Sequence, residues 1–448
     1  MQTTYETRSF ENIYNTDELQ SSPAACARFA NELSTNGIAC IKISGLDSRA
    51  AIKEIWKTLV TEQPWDDEHQ IKLYVNGRLL DKNVDEDMEK ILDIITNPLN
   101  VKMRKYLHKR WLLHRQFGRE CGSMSFWQHS RCKIVENEGL YGAMSAALGT
   151  NEFWADLNGT ITRLPGEGEH AFLHWDLDPR TVTNHATKQI CGKVCYTEAR
   201  FICVPGTHTK EFLDDFVDTY GKDYTHIKLG ANKFGLRQDK PDPFNLWSRQ
   251  CSYIVPAGHW VCWDSRVLHG HYKLALRSHI QWGTFMGFSI AGDTAQQTER
   301  KRLYDTGEVP KTHPSGDLIK FVPRKYDNFP RIFKSMILDR LDPKRYEELI
   351  FVRKNGKGKD TFDTKGWGWS EKNPYIKYNF SPKGKRIIGI KPWSSLNVPA
   401  ASNLPVVVPA ELGEDNRPRK KPKTKKANAT SASDLQVGGT ARSPIEVD

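Results

Sequence analysis

The fold of this chain is decided by two stretches read together. The first is Phe172-Leu173-His174-Trp175-Asp176, and the second is Trp263-Asp264-Ser265-Arg266-Val267-Leu268-His269, with Arg277 beyond it. An imidazole and a carboxylate two residues apart on a strand point to the same face. A second imidazole arriving from a distant strand completes a face of two His and one carboxylate on a metal, with coordination positions left open. The His-x-Asp tripeptide alone is a weak signal. Its surroundings strengthen it: Ala171-Phe172-Leu173 before it is apolar, and Asp178-Pro179 after it is a turn signal. The pair therefore belongs at the end of a buried strand, where a site opens.

The second stretch is the stronger one. Pro256-Ala257-Gly258 reads as a turn, and His259-Trp260-Val261-Cys262-Trp263-Asp264 as a strand. His269 follows on a short loop, and Arg277 opens the strand Ile280 to Phe288. A guanidinium facing the same cavity clamps a carboxylate bidentately. Taken singly, His269 reads better as a loop His and Arg277 as a strand-edge ion pair. Their order after His174 and Asp176 makes a metal face the better reading, of the kind found in non-haem Fe(II) oxygenases.

Around these residues the strands and helices fall into a consistent order. Ser22-Pro23 reads as an N-cap and first helical position, and Asn36-Gly37 as the stop. The helix between them carries Ala25, Phe29 and Leu33 on one face, and a strand Ile38 to Ile43 follows. Further helices are predicted near 50–62, 85–95, 103–116 and 136–148, and strands dominate from about 153 to 290. The fold class is α+β: a double-stranded β-helix core of jelly-roll or cupin-like kind, an N-terminal helical layer, and a basic C-terminal extension. Three segments are expected. They are 1–300 as the oxygenase-like domain, 301–402 as a basic, aromatic-containing extension, and 403–448 as a disordered basic tail. Gln189-Ile190-Cys191-Gly192-Lys193-Val194-Cys195 lacks the clean apolar run of a core strand. The fifty or so residues between Pro205-Gly206 and Pro256 read as a lid or a plain surface excursion.

Several segments, in order, resemble the phytanoyl-CoA dioxygenase-like group of Fe(II)/2-oxoglutarate oxygenases. They are Leu140-Tyr141-Gly142-Ala143 through Leu148-Gly149-Thr150, Phe153-Trp154, and Leu173-His174-Trp175-Asp176-Leu177-Asp178-Pro179. Phe201-Ile202-Cys203-Val204-Pro205-Gly206-Thr207-His208 and Trp263 to Gly270 complete the series. The resemblance covers about residues 20 to 300. It implies His174, Asp176 and His269 as iron ligands, and Arg277 as the residue gripping the far carboxylate of 2-oxoglutarate. Arg163, on the strand before the His-x-Asp strand, is a second candidate for that co-substrate, and reads better as a plain surface Arg. Trp175 reads as pocket wall or as core. The implied chemistry takes Fe(II), 2-oxoglutarate and O2 and releases succinate and carbon dioxide as a small-molecule or modified-macromolecule substrate is hydroxylated. His271, and the short step of eight residues from His269 to Arg277, depart from the family pattern. They motivate two alternatives: an inactive scaffold acting as a nuclear, nucleic-acid-associated binding protein, and a cupin-type metal site without 2-oxoglutarate.

Composition bounds the rest. No run of about 18 apolar residues is present, so no membrane span is expected. Met1 to Gln20 has neither the basic start nor the apolar centre of a secretory signal. The 9 Cys are scattered without a C-x-x-C, which suits reduced thiols of a nuclear or cytoplasmic protein. Cys191 with Cys195, and His114, Cys121, His129 and Cys132, are loose zinc candidates that read better as buried or free thiols. Charge is uneven: residues 1–300 carry 35 Lys+Arg against 37 Asp+Glu, residues 301–402 carry 22 against 11, and 403–448 carry 8 against 6. The basic balance therefore belongs to the extension. There Lys365-Gly366-Trp367-Gly368-Trp369, Tyr375, Tyr378-Asn379-Phe380, Lys383 to Arg386 and Lys391 interleave cations with aromatics. Such a run across 301–426 binds nucleic acid, or packs its rings on the core and leaves its lysines in water. Arg417, Arg419, Lys420, Lys421, Lys423, Lys425 and Lys426 form a nuclear-import candidate that an import receptor would read. Pro444-Ile445-Glu446-Val447-Asp448 resembles a short strand-adding peptide of the SUMO-interaction kind.

Overall fold

The computed structural model describes residues 6–56, 73–81, 83–96, 128–156, 160–163, 173–176, 179, 189–220, 227–230, 233–236, 240–270, 281–306, 310–311, 322–323, 350–354, 360–364 and 378–393. His114, Cys121, His271, Arg277, the helix expected at 103–116, the run 365–375, the basic run 417–426 and the terminal 444–448 lie outside the described residues.

The N-terminal part begins with strands β1 (Glu6–Arg8) and β2 (Tyr14–Asn15), then helices α1 (Thr16–Ser21) and α2 (Pro23–Asn36), and strand β3 (Ile38–Lys42). Helix α3 (Ser48–Trp56) follows, then a hairpin of β4 (Tyr74–Val75) and β5 (Arg78–Leu79), then α4 (Asp85–Thr96), α5 (His129–Val135) and α6 (Glu138–Leu148). The local chemistry of α2 is what its sequence demands. The Ser22 hydroxyl accepts from the Ala25 N–H, Pro23 sits at the first helical position, and Gly37 closes the helix in the left-handed region at φ 76. Its inner face buries Ala25, Cys26, Phe29 and Leu33. Ser22→Ala removes the cap and is expected to cost about 1 kcal/mol, read as a lower urea midpoint at unchanged slope.

At the start of α4 the Asp87 carboxylate is held by Arg78, whose Nη1 donates at 2.8 Å and whose Nη2 also donates to it. It further accepts the Asp81 N–H at 3.0 Å. The guanidinium first, and then the backbone donor, hold the Asp87 pKa down at about 2. A carboxylate with a depressed folded pKa stabilises the fold above its unfolded value of about 3.9, and that contribution is lost as pH falls towards the folded value. Thermal midpoints should therefore drop between about pH 4 and pH 2, and Asp87→Asn should flatten part of that drop.

The second half is built of strands. They are β6 (Phe153–Asp156), β7 (Thr160–Arg163), β8 (His174–Trp175), β9 (Gln189–Cys195) and β10 (Ala199–Val204), followed by helix α7 (Lys210–Tyr220). Then come β11 (Ile227–Gly230), β12 (Lys233–Leu236), β13 (Cys251–Val255), β14 (His259–Asp264), β15 (Leu268–Gly270), β16 (Gln281–Phe285) and β17 (Gly287–Ile290). Helices α8 (Thr294–Thr306) and α9 (Pro382–Ile387) follow.

These strands form two mixed sheets. One runs β1-β13-β10-β15-β8-β12-β11, and the other β2-β3-β14-β9-β16-β7, with β17 pairing β6 and β9. Successive strands pass from one sheet to the other: β7, β9, β14 and β16 lie in the second, and β8, β10, β13 and β15 in the first. That is the winding of a jelly roll. The sheets pack on each other through Phe201, Cys203, Cys251, Tyr253 and Val255 of the first and Ile38, Cys40, Cys195, Val261 and Trp263 of the second. The outer face of the second sheet, with Ile190, Val194, Trp260, Cys262 and Trp282, buries the helical layer.

Two expectations meet a different arrangement, and in the basic extension the described residues follow one of the two readings offered. The segment 189–195, which lacks an apolar run, is a central strand of the second sheet, bonded to β14, β16 and β17. Its polar residues Gln189 and Lys193 alternate with Ile190 and Val194, so the apolar ones still reach the helical core. In its described residues the excursion after Gly206 is more than a plain surface excursion, because α7 lays Phe216 onto the outer face of the first sheet together with Leu246. Within the basic extension, Phe380, Ile387, Ile388 and Trp393 belong to the same apolar cluster as α1 to α6. The Trp393 indole N–H donates to the Phe153 carbonyl at 3.2 Å, and the Tyr378 hydroxyl donates to Glu136 at 2.7 Å. Lys391 stays exposed, and Lys383 sits with its Nζ 3.5 Å from the Tyr141 ring centroid.

Candidate metal centre

The three strands that carry the centre lie side by side in the first sheet. His269 on β15 is registered directly opposite His174 on β8 and opposite Cys203 on β10. Opposed residues in an antiparallel pair share a face. On these strands Leu173, Trp175, Ile202, Val204 and Leu268 turn outward into the cluster under α7. His174, Asp176, Phe201, Cys203 and His269 take the inner face, towards the second sheet.

There the three polar groups converge. His174 Nε2 lies 3.6 Å from Asp176 Oδ1, and His269 Nε2 lies 3.5 Å from Asp176 Oδ2. The two imidazole centroids are 4.4 Å apart. One ligand atom from each residue falls within 4.8 Å of the others. Among the described residues this is the one grouping of three or more His, Cys, Asp or Glu with such spacing. The residues are 1 %, 5 % and 2 % exposed. Burying a carboxylate between two imidazoles is costly unless positive charge sits among them. The separations are longer than a good hydrogen bond, as expected of groups arranged about a common point rather than bonded to each other.

The donor set fits a divalent transition metal of the iron type. Its tautomer also fits at His269. The Nδ1 of His269 lies 3.0 Å from the Val267 carbonyl, a partner that only an N–H can serve, so the Nε2 lone pair faces Asp176. Phe201 and Trp263 stack on each other at 4.7 Å, and the His269 ring packs beside that pair, 6.0 Å from Phe201 and 4.9 Å from Trp263. The turn before it is equally fixed. Arg266 clasps Asp264 through Nε and Nη2, both at 2.8 Å, and the Val267 N–H donates to the Asp264 carbonyl at 2.9 Å. The Thr207 hydroxyl donates to the Val204 carbonyl and accepts the Leu268 N–H, each at 2.8 Å, which ties β15 to β10 beside the imidazole. Neither Thr207 nor the Asp264–Arg266 clasp stood out in the sequence as a support for the site. The signal for Thr207 was its place in the Pro205-Gly206-Thr207-His208 turn.

The remaining sequence candidates distribute unevenly. Trp175, named as pocket wall or core, is core: it points away from the triad and packs against Phe216 at 5.0 Å. Its neighbour positions 174 and 176 take the inner face, and the two-residue period of a strand sends 175 outward. Arg163 lies on β7, registered opposite Gln281. Among the described cysteines, Cys26, Cys40, Cys132, Cys191, Cys195, Cys203, Cys251 and Cys262 are free thiols. Burial pushes the thiol pKa of Cys195, Cys203 and Cys262 up, which keeps them protonated and unreactive.

No family model matches the chain, and no curated protein matches it. Solved structures do overlap it in part. The epimerase SnoN in complex with Fe3+, alpha-ketoglutarate and nogalamycin RO is 12 % identical at a TM-score of 0.32, covering 60 % of this chain and 85 % of its own. HygX from Streptomyces hygroscopicus, with nickel and 2-oxoglutarate bound, is 10 % identical at 0.32, covering 59 % and 87 %. EctD from S. alaskensis with bound Fe is 11 % identical at 0.30, covering 65 % and 82 %. Among the described residues no helix is long and apolar enough to cross a membrane.

Proposed function

We propose that this chain is a non-haem Fe(II) oxygenase that consumes 2-oxoglutarate and O2, hydroxylates its substrate, and releases succinate and carbon dioxide. The observation that carries the reading is the convergence of His174, Asp176 and His269 on the inner face of a jelly roll. These three residues would hold the metal, and the bound metal would supply the oxidising chemistry. The chain's own work is to orient and to exclude water. The Val267 carbonyl sets the His269 tautomer, and Phe201 and Trp263 fix its ring. The near-complete burial of all three ligands keeps solvent from the inner coordination positions.

Arg277, with Arg163 as a second basic residue, is proposed to hold the far carboxylate of 2-oxoglutarate. The phytanoyl-CoA dioxygenase-like likeness of the motifs is part of the same proposal, as is nuclear import through Arg417 to Lys426. The test of the reading is succinate formation from 2-oxoglutarate by the iron-loaded full-length chain under air. Turnover above the metal-free chain is the expected result. A chain that binds iron and makes no succinate, with or without candidate substrates, would move the weight to a binding scaffold.

A further inference from the structure

The turn that delivers His269 is held at every backbone N–H from residue 264 to residue 268. The Asp264 N–H donates to the Gly37 carbonyl at 2.9 Å, and the Ser265 N–H to the Gln189 carbonyl at 3.0 Å. The Arg266 N–H donates to Asp264 Oδ1 at 2.9 Å. The Val267 N–H donates to the Asp264 carbonyl at 2.9 Å, and the Leu268 N–H to the Thr207 hydroxyl at 2.8 Å. A four-residue turn needs only the bond that Val267 returns to Asp264. Three of the others reach the end of α2, strand β9 and the turn after β10, segments far apart in sequence. Ser265, Val267 and Leu268 are fully buried, so water cannot replace a lost bond there.

The contact with the end of α2 is close. A Cβ built at Gly37 falls on Val267 Cγ2 and on His208 Nδ1. The His208 ring is itself held, with Nε2 2.8 Å from the Ser34 carbonyl in the last turn of α2. Asp264 is where the bonds of the turn meet. Its N–H and carbonyl serve two of them, its Oδ1 takes the Arg266 N–H and Nε, and its Oδ2 takes Nη2. The group this turn holds in place is the Val267 carbonyl, which faces His269 Nδ1 at 3.0 Å. An imidazole fixed through one nitrogen presents the other to a metal in one tautomer and at one angle.

Resting on the reading of the triad as a metal centre, we infer that Asp264 is a positioning residue: through Val267 it sets the ring angle and tautomer of His269, and with them the affinity and geometry of the metal. Arg266 is the counter-ion that keeps Asp264 in place, and the end of α2 is the surface on which the turn rests. The helical layer thus reaches the centre through Gly37 and His208, besides covering the outer face of the second sheet.

The test uses the full-length chain with Co(II) as the probe. Its affinity is read by titration, and its visible absorption bands report the ligand geometry. The parent chain should bind Co(II), and His269→Ala should lose most of that binding. Asp264→Ala should weaken Co(II) by about tenfold or more, the usual scale for loss of a partner that orients a ligand, and should shift the bands. Asp264→Asn keeps an oxygen for two of the three Arg266 bonds and should recover most of both losses. Asp87→Asn, which loosens the fold at α4, should lower the thermal midpoint and leave both cobalt readings alone. If Asp264→Ala does not fold, Arg266→Met removes the same clasp and should move both readings in the same direction. Parent-like affinity and bands in the folded variant, or an equal loss in Asp87→Asn, would overturn the inference and spare the triad. A parent chain that binds no Co(II), or whose binding survives His269→Ala, would overturn the triad and the inference together.

Discussion

Asp176→Ala is expected to bind Fe(II) at least a hundredfold more weakly than the parent chain, a loss of about 3 kcal/mol or more, and to form no succinate. Asp176 is the one anionic member of the triad, and its two oxygens face one imidazole each, at 3.6 and 3.5 Å. Without it the metal meets two neutral nitrogens in a site sealed from solvent, and nothing offsets the cost of stripping the ion of its water. The fold itself should not suffer. The variant removes a buried charge, so the metal-free protein should melt at or above the parent temperature. Metal binding by calorimetry, succinate by chromatography and the melting point together isolate the effect. A variant that makes succinate at the parent rate would sink the triad assignment.

Gly192→Ala is expected to lower stability by about 3 kcal/mol, read from urea unfolding at unchanged slope. The position is on β9, where the Trp260 indole lies flat across the glycine; a Cβ built there falls far inside contact distance of Nε1 and Cε2. The indole cannot yield easily. Its N–H donates to the Met286 carbonyl at 3.2 Å, its ring meets Phe288 edge-on at 5.7 Å, and the Met286 N–H returns to the Gly192 carbonyl at 3.0 Å. Overpacking of this kind costs about 1–3 kcal/mol, and the displaced hydrogen bond about 1 more. A change within about 0.5 kcal/mol of the parent would show that the strand has room the packing denies.

Much of the centre was legible because its chemistry is local. A His and an Asp two apart must share a face on a strand, and a second His followed by an Arg eight residues on favours a metal site. Helix α2 was legible for the same reason, since Ser22-Pro23 and Asn36-Gly37 satisfy the chain ends within a single turn. Strand β9 was not, because hydropathy read along 189–195 averages two faces that meet different neighbours. The inner face tolerates Gln189 and Lys193, and Gly192 exists for a tryptophan that lies on another strand. For the segment 378–393 the sequence offered nucleic-acid binding or packing of its rings on the core, and Phe380, Ile387 and Trp393 take the second.

By itself, then, the sequence determined the residue types that could hold a metal, their spacing, the helix caps and the alternation of strands after residue 153. Tertiary structure decided the pairings: that His269 stands opposite His174 across 95 residues, and that Trp175 turns away to Phe216. The reason is physical. Caps and strand period follow from backbone groups a few residues apart, whereas register between distant strands is chosen by which side chains bury together, a property of the assembled sheets alone.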